Sequence, residues 1–305
     1  MAVSGYPFAF RIDFAAARLE DRGLAPAPVL EFPILAATAL PWNLEEWRLS
    51  APKGFSARLS PRPSAAPAPF LLAKRATGLL SLFRNGAAKL SLRIEKASAF
   101  SFAADRAALA LALPAGASPA KGAGAVSLSL ALKELKLPFN LSPFGATISD
   151  LSFALTLKGR VASGPLLLMA KAWQKDGGRV DLDRLHLVWG VLAATLSGRL
   201  GLDRALQPQG AFKATIEGYD AVLGALVANG RMRPKAASIA RIALRLLSER
   251  GPEGKREIVT SLKIEKGAFY LGPARLGPAP HLSWPAASAI QGRASGGASS
   301  RRAMP

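Results

Sequence analysis

Apolar and polar residues alternate along most of this chain. In "SGYPFAFRIDF" Phe8, Phe10, Ile12 and Phe14 take every second place, with Arg11 and Asp13 between them. That spacing predicts a strand, dry on one face and wet on the other, almost at the first residue. "KLSLRIE" repeats the rule with Leu90, Leu92 and Ile94. "VSLSLALKELKL" keeps Val126, Leu128, Leu130 and Leu132 in one phase, then shifts at Lys133–Glu134 so that Leu135 and Leu137 continue it. One extra residue in a β-bulge re-aims a strand in this way. The same shift separates Val180 and Leu182 from Leu185, Leu187 and Trp189.

The clearest run is "LAATLSGRLGLD", where Leu192, Ala194, Leu196, Leu200 and Leu202 alternate with Thr195, Ser197, Arg199 and Asp203. After a Gln-Pro-Gln turn, Phe212, Ala214 and Ile216 alternate with Lys213, Thr215 and Glu217. Such one-sided strands are the mark of antiparallel sheet. A Thr-Leu-x-Gly-Arg core appears in both "ALTLKGRV" (from Ala154) and "AATLSGRL" (from Ala193), a weak internal echo.

Helical patterns are few and lie in the C-terminal half. "LLLMAKAWQKDGG" reads as a short helix stopped by Gly177–Gly178, with strand as the alternative. "YDAVLGALVANG" offers Asp220 as N-cap and Asn229–Gly230 as a stop. "RPKAASIARIALRLLSERG" starts at Pro234 and places Ile239, Ile242, Ala243, Leu246 and Leu247 on an apolar face, with Lys235, Arg241, Arg245 and Arg250 on the other. Packing against the sheet is the expected use of that apolar face, and lying on a membrane the alternative. The fold class is therefore mainly β: a large curved antiparallel sheet, an open half-barrel or groove, with two or three short helices. One elongated domain spans residues 1–285, with flexible loops near 60–69 and 114–125, and the aperiodic sequence of 286–305 predicts a disordered tail.

Composition narrows the function classes. Forty Lys and Arg face twenty Asp and Glu, a net charge of +20, which suits anionic partners or reflects a genome-wide bias in composition. Mean hydropathy is +0.20, yet no apolar run of membrane-spanning length occurs. The absence of cysteine excludes disulfides and thiolate metal sites. The two histidines, His186 and His281, are too few for a multi-histidine metal site, and no cofactor is implied. His186 reads as a strand residue between Leu185 and Leu187, and the Asp181/Asp183 pair, beside Arg179 and Arg184, as a solvated charged face. Gly254–Lys255 lacks the first glycine and the Ser or Thr of a phosphate loop, since Glu249 and Arg256 stand there. No Gly-x-Ser-x-Gly elbow occurs, and no zinc module or stacking pair supports nucleic acid as a partner. Nothing in the chain names a catalytic residue.

Several stretches together resemble a bacterial family, domain of unknown function 2125. They are "SGYPFAFRIDF", "ALPWNLEEWRLSAP", "GGRVDLDRLHLVWGVLAATLSGRLGLD", "PQGAFKATIEGYDAVLGALVANG" and "GAFYLGPARLGPAPHL", which extend to about Pro285. The resemblance implies an inner-membrane-anchored protein of Gram-negative bacteria whose body lies in the periplasm. The anchor it implies is missing before Gly5, which fits a start assigned too late. A looser similarity, in strand style, is to AsmA-like envelope proteins, whose curved sheets hold an apolar trough. With many one-sided apolar strands, few helices to cover them and no catalytic constellation, the expectation is a non-enzymatic envelope protein that binds a lipid or other hydrophobic ligand, the groove lined by Leu192, Leu196, Leu200, Phe212 and Ile216. Arg241 and Arg245 would meet an anionic membrane surface. The alternative is an adaptor or scaffold in envelope assembly, with a closed core and a basic surface for a protein partner.

Overall fold

Alternation becomes one continuous sheet in the computed structural model. It describes residues 2–20, 27–60, 69–115, 124–142, 144–160, 166–230, 232–251, 254, 256–272 and 274–284. The strands are β1 (Ala2–Ser4), β2 (Phe10–Glu20), β3 (Ala27–Leu40), β4 (Asn43–Ala51), β5 (Phe55–Ser60), β6 (Leu71–Leu82), β7 (Ala88–Ala99), β8 (Phe102–Leu113) and β9 (Gly124–Leu141). They continue with β10 (Gly145–Lys158), β11 (Arg179–Trp189), β12 (Leu192–Leu202), β13 (Pro208–Glu217), β14 (Glu249–Arg250), β15 (Arg256–Glu265), β16 (Ala268–Leu271) and β17 (Ala274–Pro278). All belong to a single 17-stranded sheet. Helix α1 (Leu166–Lys175) joins β10 to β11, and α2 (Tyr219–Ala228) and α3 (Pro234–Leu247) lie between β13 and β15.

The sheet is an antiparallel meander in which strands pair with their neighbours in sequence. Two departures matter. β4 and β5 share one strand position between β3 and β6, broken at residues 52–54. β13 pairs with β15, and the α2–α3 excursion is spliced between them.

Residues directly opposite each other in an antiparallel pair share a face. The register can therefore be followed across the molecule. Val3 faces Ile12, then Ala37, Leu49, Gly78, Leu92 and Leu109 in turn. The row runs on through Leu130, Phe153, Leu185, Leu196 and Ala214 to Thr260. A parallel row links Trp47, Leu80, Leu90, Leu111, Leu128, Leu155, Leu182, Gly198, Phe212, Leu262 and Leu271. On the other face, one row links Ser50, Thr77, Arg93, Ala108, Ala131, Ser152, His186, Thr195 and Thr215. The sheet thus has one dry and one wet face along its length.

A line of bulges crosses the middle strands. In β6 to β10 the dry residues Ala76/Ala73, Ile94/Ala97, Ala107/Ala104, Leu132/Leu135 and Leu151/Ile148 are each separated by two consecutive polar residues. These pairs include Lys74–Arg75, Glu95–Lys96, Asp105–Arg106 and Lys133–Glu134, all exposed. The ladder skips one residue in each strand here, and Lys96 and Glu134 have positive φ, 50° and 52°. An extra residue on the wet side makes that side longer, so the sheet bends toward its dry face. Small residues fit the inside of the bend: Ala51, Ala73, Ala76, Ile94 and Ala107 form the buried core cluster there.

Four expectations change. Phe8 does not join the dry face: it is 77% exposed in a turn closed by Phe8 N–H and Ala9 N–H donating to the Gly5 carbonyl. Pro7 has no N–H for a ladder, so the strand begins at Phe10. Asp220 is not the N-cap of α2. Gly218 holds that place, and Asp220 lies in the first turn. The predicted loop at 114–125 yields its last two residues to β9, and residues 116–123, 61–68 and the tail 286–305 lie outside the described residues. Finally, α3 does not lay Ile239 and Ile242 on the sheet. They are 63% and 64% exposed, and α3 instead buries Ala237 while packing against α2. Across that helix pair Arg241 Nε donates to Asp220 Oδ1 at 3.0 Å.

Candidate functional site: the dry face

The five predicted groove residues do share one surface. Leu196 lies opposite Ala214, Ile216 opposite Ala194, Phe212 opposite Gly198, Leu200 opposite Gly210 and Leu192 opposite Trp189. A side chain on Gly198 would come within 2.8 Å of the Phe212 ring, so the glycine gives that ring its seat. All five are half-buried.

Half-burial is general on this face. Leu92, Leu109, Leu130, Phe153 and Leu185 share it. Among the described residues the buried apolar set is dominated by alanine, and Val29 is the large side chain with under 2% of its surface exposed. Among the described residues no second sheet lies over these rows, and of the helices only α2 packs appreciably on a strand, β12. Fully burying a leucine or phenylalanine is worth roughly 1.5–3 kcal/mol. A face of half-buried leucines leaves part of that unrealised, and contact with another apolar molecule would recover it.

The helices sit at opposite ends of the strands. α1 follows the last residues of β10, beside the row Val126, Leu157, Val180 and Leu200. Trp173 of α1 donates its indole N–H to the Lys158 carbonyl at 2.8 Å, and its ring rests on Gly178. At the other end, Trp189 packs against Phe144 with the rings tilted (centroids 5.3 Å apart) and donates to the Gly145 carbonyl at 3.1 Å.

The wet face carries the charges. Asp181 lies among Lys158 (2.8 Å), Arg179 (3.1 Å) and Arg199 (3.9 Å). The Lys158 hydrogen bond, with a smaller contribution from Arg179, holds its carboxyl below the usual range against the opposing effect of burial. Asp183 instead accepts from Thr156 at 3.3 Å, so the two carboxylates do not converge. His186 Nδ1 lies 3.3 Å from Thr195 Oγ1 across the strand pair. Among the described residues no three His, Asp or Glu side chains gather as a metal site. Arg241 is engaged by Asp220, whereas Arg245 is exposed in the last turn of α3.

The comparisons with known proteins can be set against this geometry. A family model described as an uncharacterized protein conserved in bacteria, DUF2125, matches residues 1–280. The chain belongs to that family. No curated protein and no solved structure matches it. The DUF2125 match takes in every strand of the sheet and all three helices, so the dry face lies wholly inside it. None of the helices described in this DUF2125 protein is long and apolar enough to cross a membrane.

Proposed function

We propose that this protein is a non-enzymatic component of the bacterial cell envelope whose dry sheet face receives the apolar part of a lipid. One observation carries the reading: rows made mostly of leucine, phenylalanine and alanine cross the sheet without a charged residue, largely half-buried and without an opposing layer among the described residues. A sheet with one apolar face needs a covering, from its own chain or from a ligand. The periplasmic side of the inner membrane is the location implied by the resemblance to anchored envelope proteins. The anionic membrane surface is the proposed partner of the basic side, with Arg245 beside the exposed Ile239 and Ile242 of α3.

The test is to purify the full chain from membranes without denaturant, extract it with organic solvent and identify co-purifying molecules by mass spectrometry. Alkyl lipid near one equivalent or more is expected. A protein free of lipid that crosslinks to one stoichiometric protein partner would replace this reading with the adaptor.

A further inference from the structure

Under α1 the dry face does not end in packed side chains. A cavity of about 380 Å³ lies there, with Leu157, Val180 and Leu200 on the sheet side and Met169, Trp173 and Trp284 opposite. Among the described residues no strand packs closely along α1. The volume is within the range of small-molecule sites, roughly 300–1,000 Å³.

The space is braced on both sides. Trp173 is fixed by its bond to the Lys158 carbonyl and by the bare backbones of Gly159 and Gly178, where a Cβ would meet Trp173 at 3.2 and 2.4 Å. Trp284 is fixed by donating to the Leu206 carbonyl at 3.1 Å. The segment carrying it is pinned by a reciprocal pair: Gln207 Nε2 donates to the Leu282 carbonyl at 3.2 Å, and Leu282 N–H donates to Gln207 Oε1 at 2.9 Å. Both indole N–H groups thus point at protein carbonyls, and the walls are almost wholly apolar. The space is open to solvent on one side, and its almost wholly apolar walls favour apolar over polar ligands.

We infer that this cavity is a binding site for the end of an unbranched alkyl chain, with the rest of the chain running onto the dry face past Leu200. The inference rests on the proposed function and places the end of a chain on the dry face under α1. Its polar head would stay outside, since the apolar walls offer it little to pair with.

Tryptophan positions supply the test. Trp173 and Trp284 line the cavity, whereas Trp47 and Trp189 lie on the dry face away from it. One variant replaces Trp173 and Trp284 by Phe, and a second replaces Trp42, Trp47 and Trp189 by Phe. Each is titrated with dibromostearic acid and, in a separate arm, with vesicles of dibromostearoyl phosphatidylcholine. Bromine quenches indoles it touches. Strong quenching is expected in the second variant and clearly weaker quenching in the first, and the arm that quenches identifies a free acid or a phospholipid acyl chain as the source. Quenching in the first variant alone would overturn the cavity site and leave the sheet-face reading standing. Quenching in neither would overturn both. If a variant fails to fold, the unaltered protein is labelled with a diazirine-bearing fatty acid. Adducts at residues 166–175 or at Trp284 support the site, and adducts confined to the other strands overturn it.

Discussion

Asp181 shows how the wet face contributes to stability one residue at a time. Its carboxylate is favoured chiefly by the Lys158 hydrogen bond, so its folded pKa lies below the unfolded value, about 3.9. A depressed carboxyl stabilises the fold above the unfolded pKa, and that contribution is lost as pH falls through the folded one. The urea midpoint should therefore drop below about pH 4, and Asp181→Asn should flatten that part of the profile while lowering stability at neutral pH. An unchanged acid profile in the variant would contradict this. Gly178 makes a second residue-scale claim. A methyl group there would sit 2.4 Å from the Trp173 ring, so Gly178→Ala should cost about 1–3 kcal/mol. It should also shift Trp173 emission to the red, read by denaturant titration and fluorescence. The Asp181/Asp183 pair was legible in the sequence as charged surface, but its separation was not. Alternation places both on one face, whereas the partners across strands, Lys158 and Thr156, depend on register.

At the scale of elements, the sheet's bend resides in single residues. Lys96 and Glu134 adopt positive φ where the ladder skips. Non-glycine residues pay roughly 1–2 kcal/mol in that region. Glu134→Gly should therefore leave stability near or slightly above that of the parent. Deleting Glu134 instead moves one half of β9 to the opposite face, and the protein should fail to fold cooperatively, as measured by circular dichroism. The phase shift at Lys133–Glu134 is readable in the sequence because two polar residues interrupt a regular alternation. Its alignment with the matching shifts in β6, β7, β8 and β10 was not readable, because only pairing brings those positions into one line. Helix α3 failed in the opposite sense. Its periodicity is legible, but the face turned inward is the one that packs on α2, where Arg241 reaches Asp220, and no single-helix pattern encodes a contact between two helices. The exposed pair predicts that Ile239→Asp with Ile242→Asp weakens sedimentation with anionic vesicles while leaving the sheet's circular dichroism intact. Unchanged sedimentation would remove α3 from the membrane contact.

For the whole molecule, the continuity of the dry face matters more than any local pocket. The row from Val3 to Ala214 crosses strand after strand without a charged residue, although the sequence positions it joins are scattered along the chain. The fold class and the dry residues of β12 and β13 were legible from alternation. The cavity under α1 was not, since Trp284 reaches it from far along the chain and only the Gln207–Leu282 pair fixes that approach. Function follows from the contrast between faces. Photocrosslinking side chains placed at Leu130, Phe153 and Leu196 test this contrast directly when compared with the wet neighbours Ser129, Ser152 and Ser197. Irradiation in cells, followed by mass spectrometry, should yield lipid adducts at the three dry positions and none at the three wet ones. Equal labelling of both faces, or protein adducts in place of lipid at the dry positions, would contradict a lipid-receiving face.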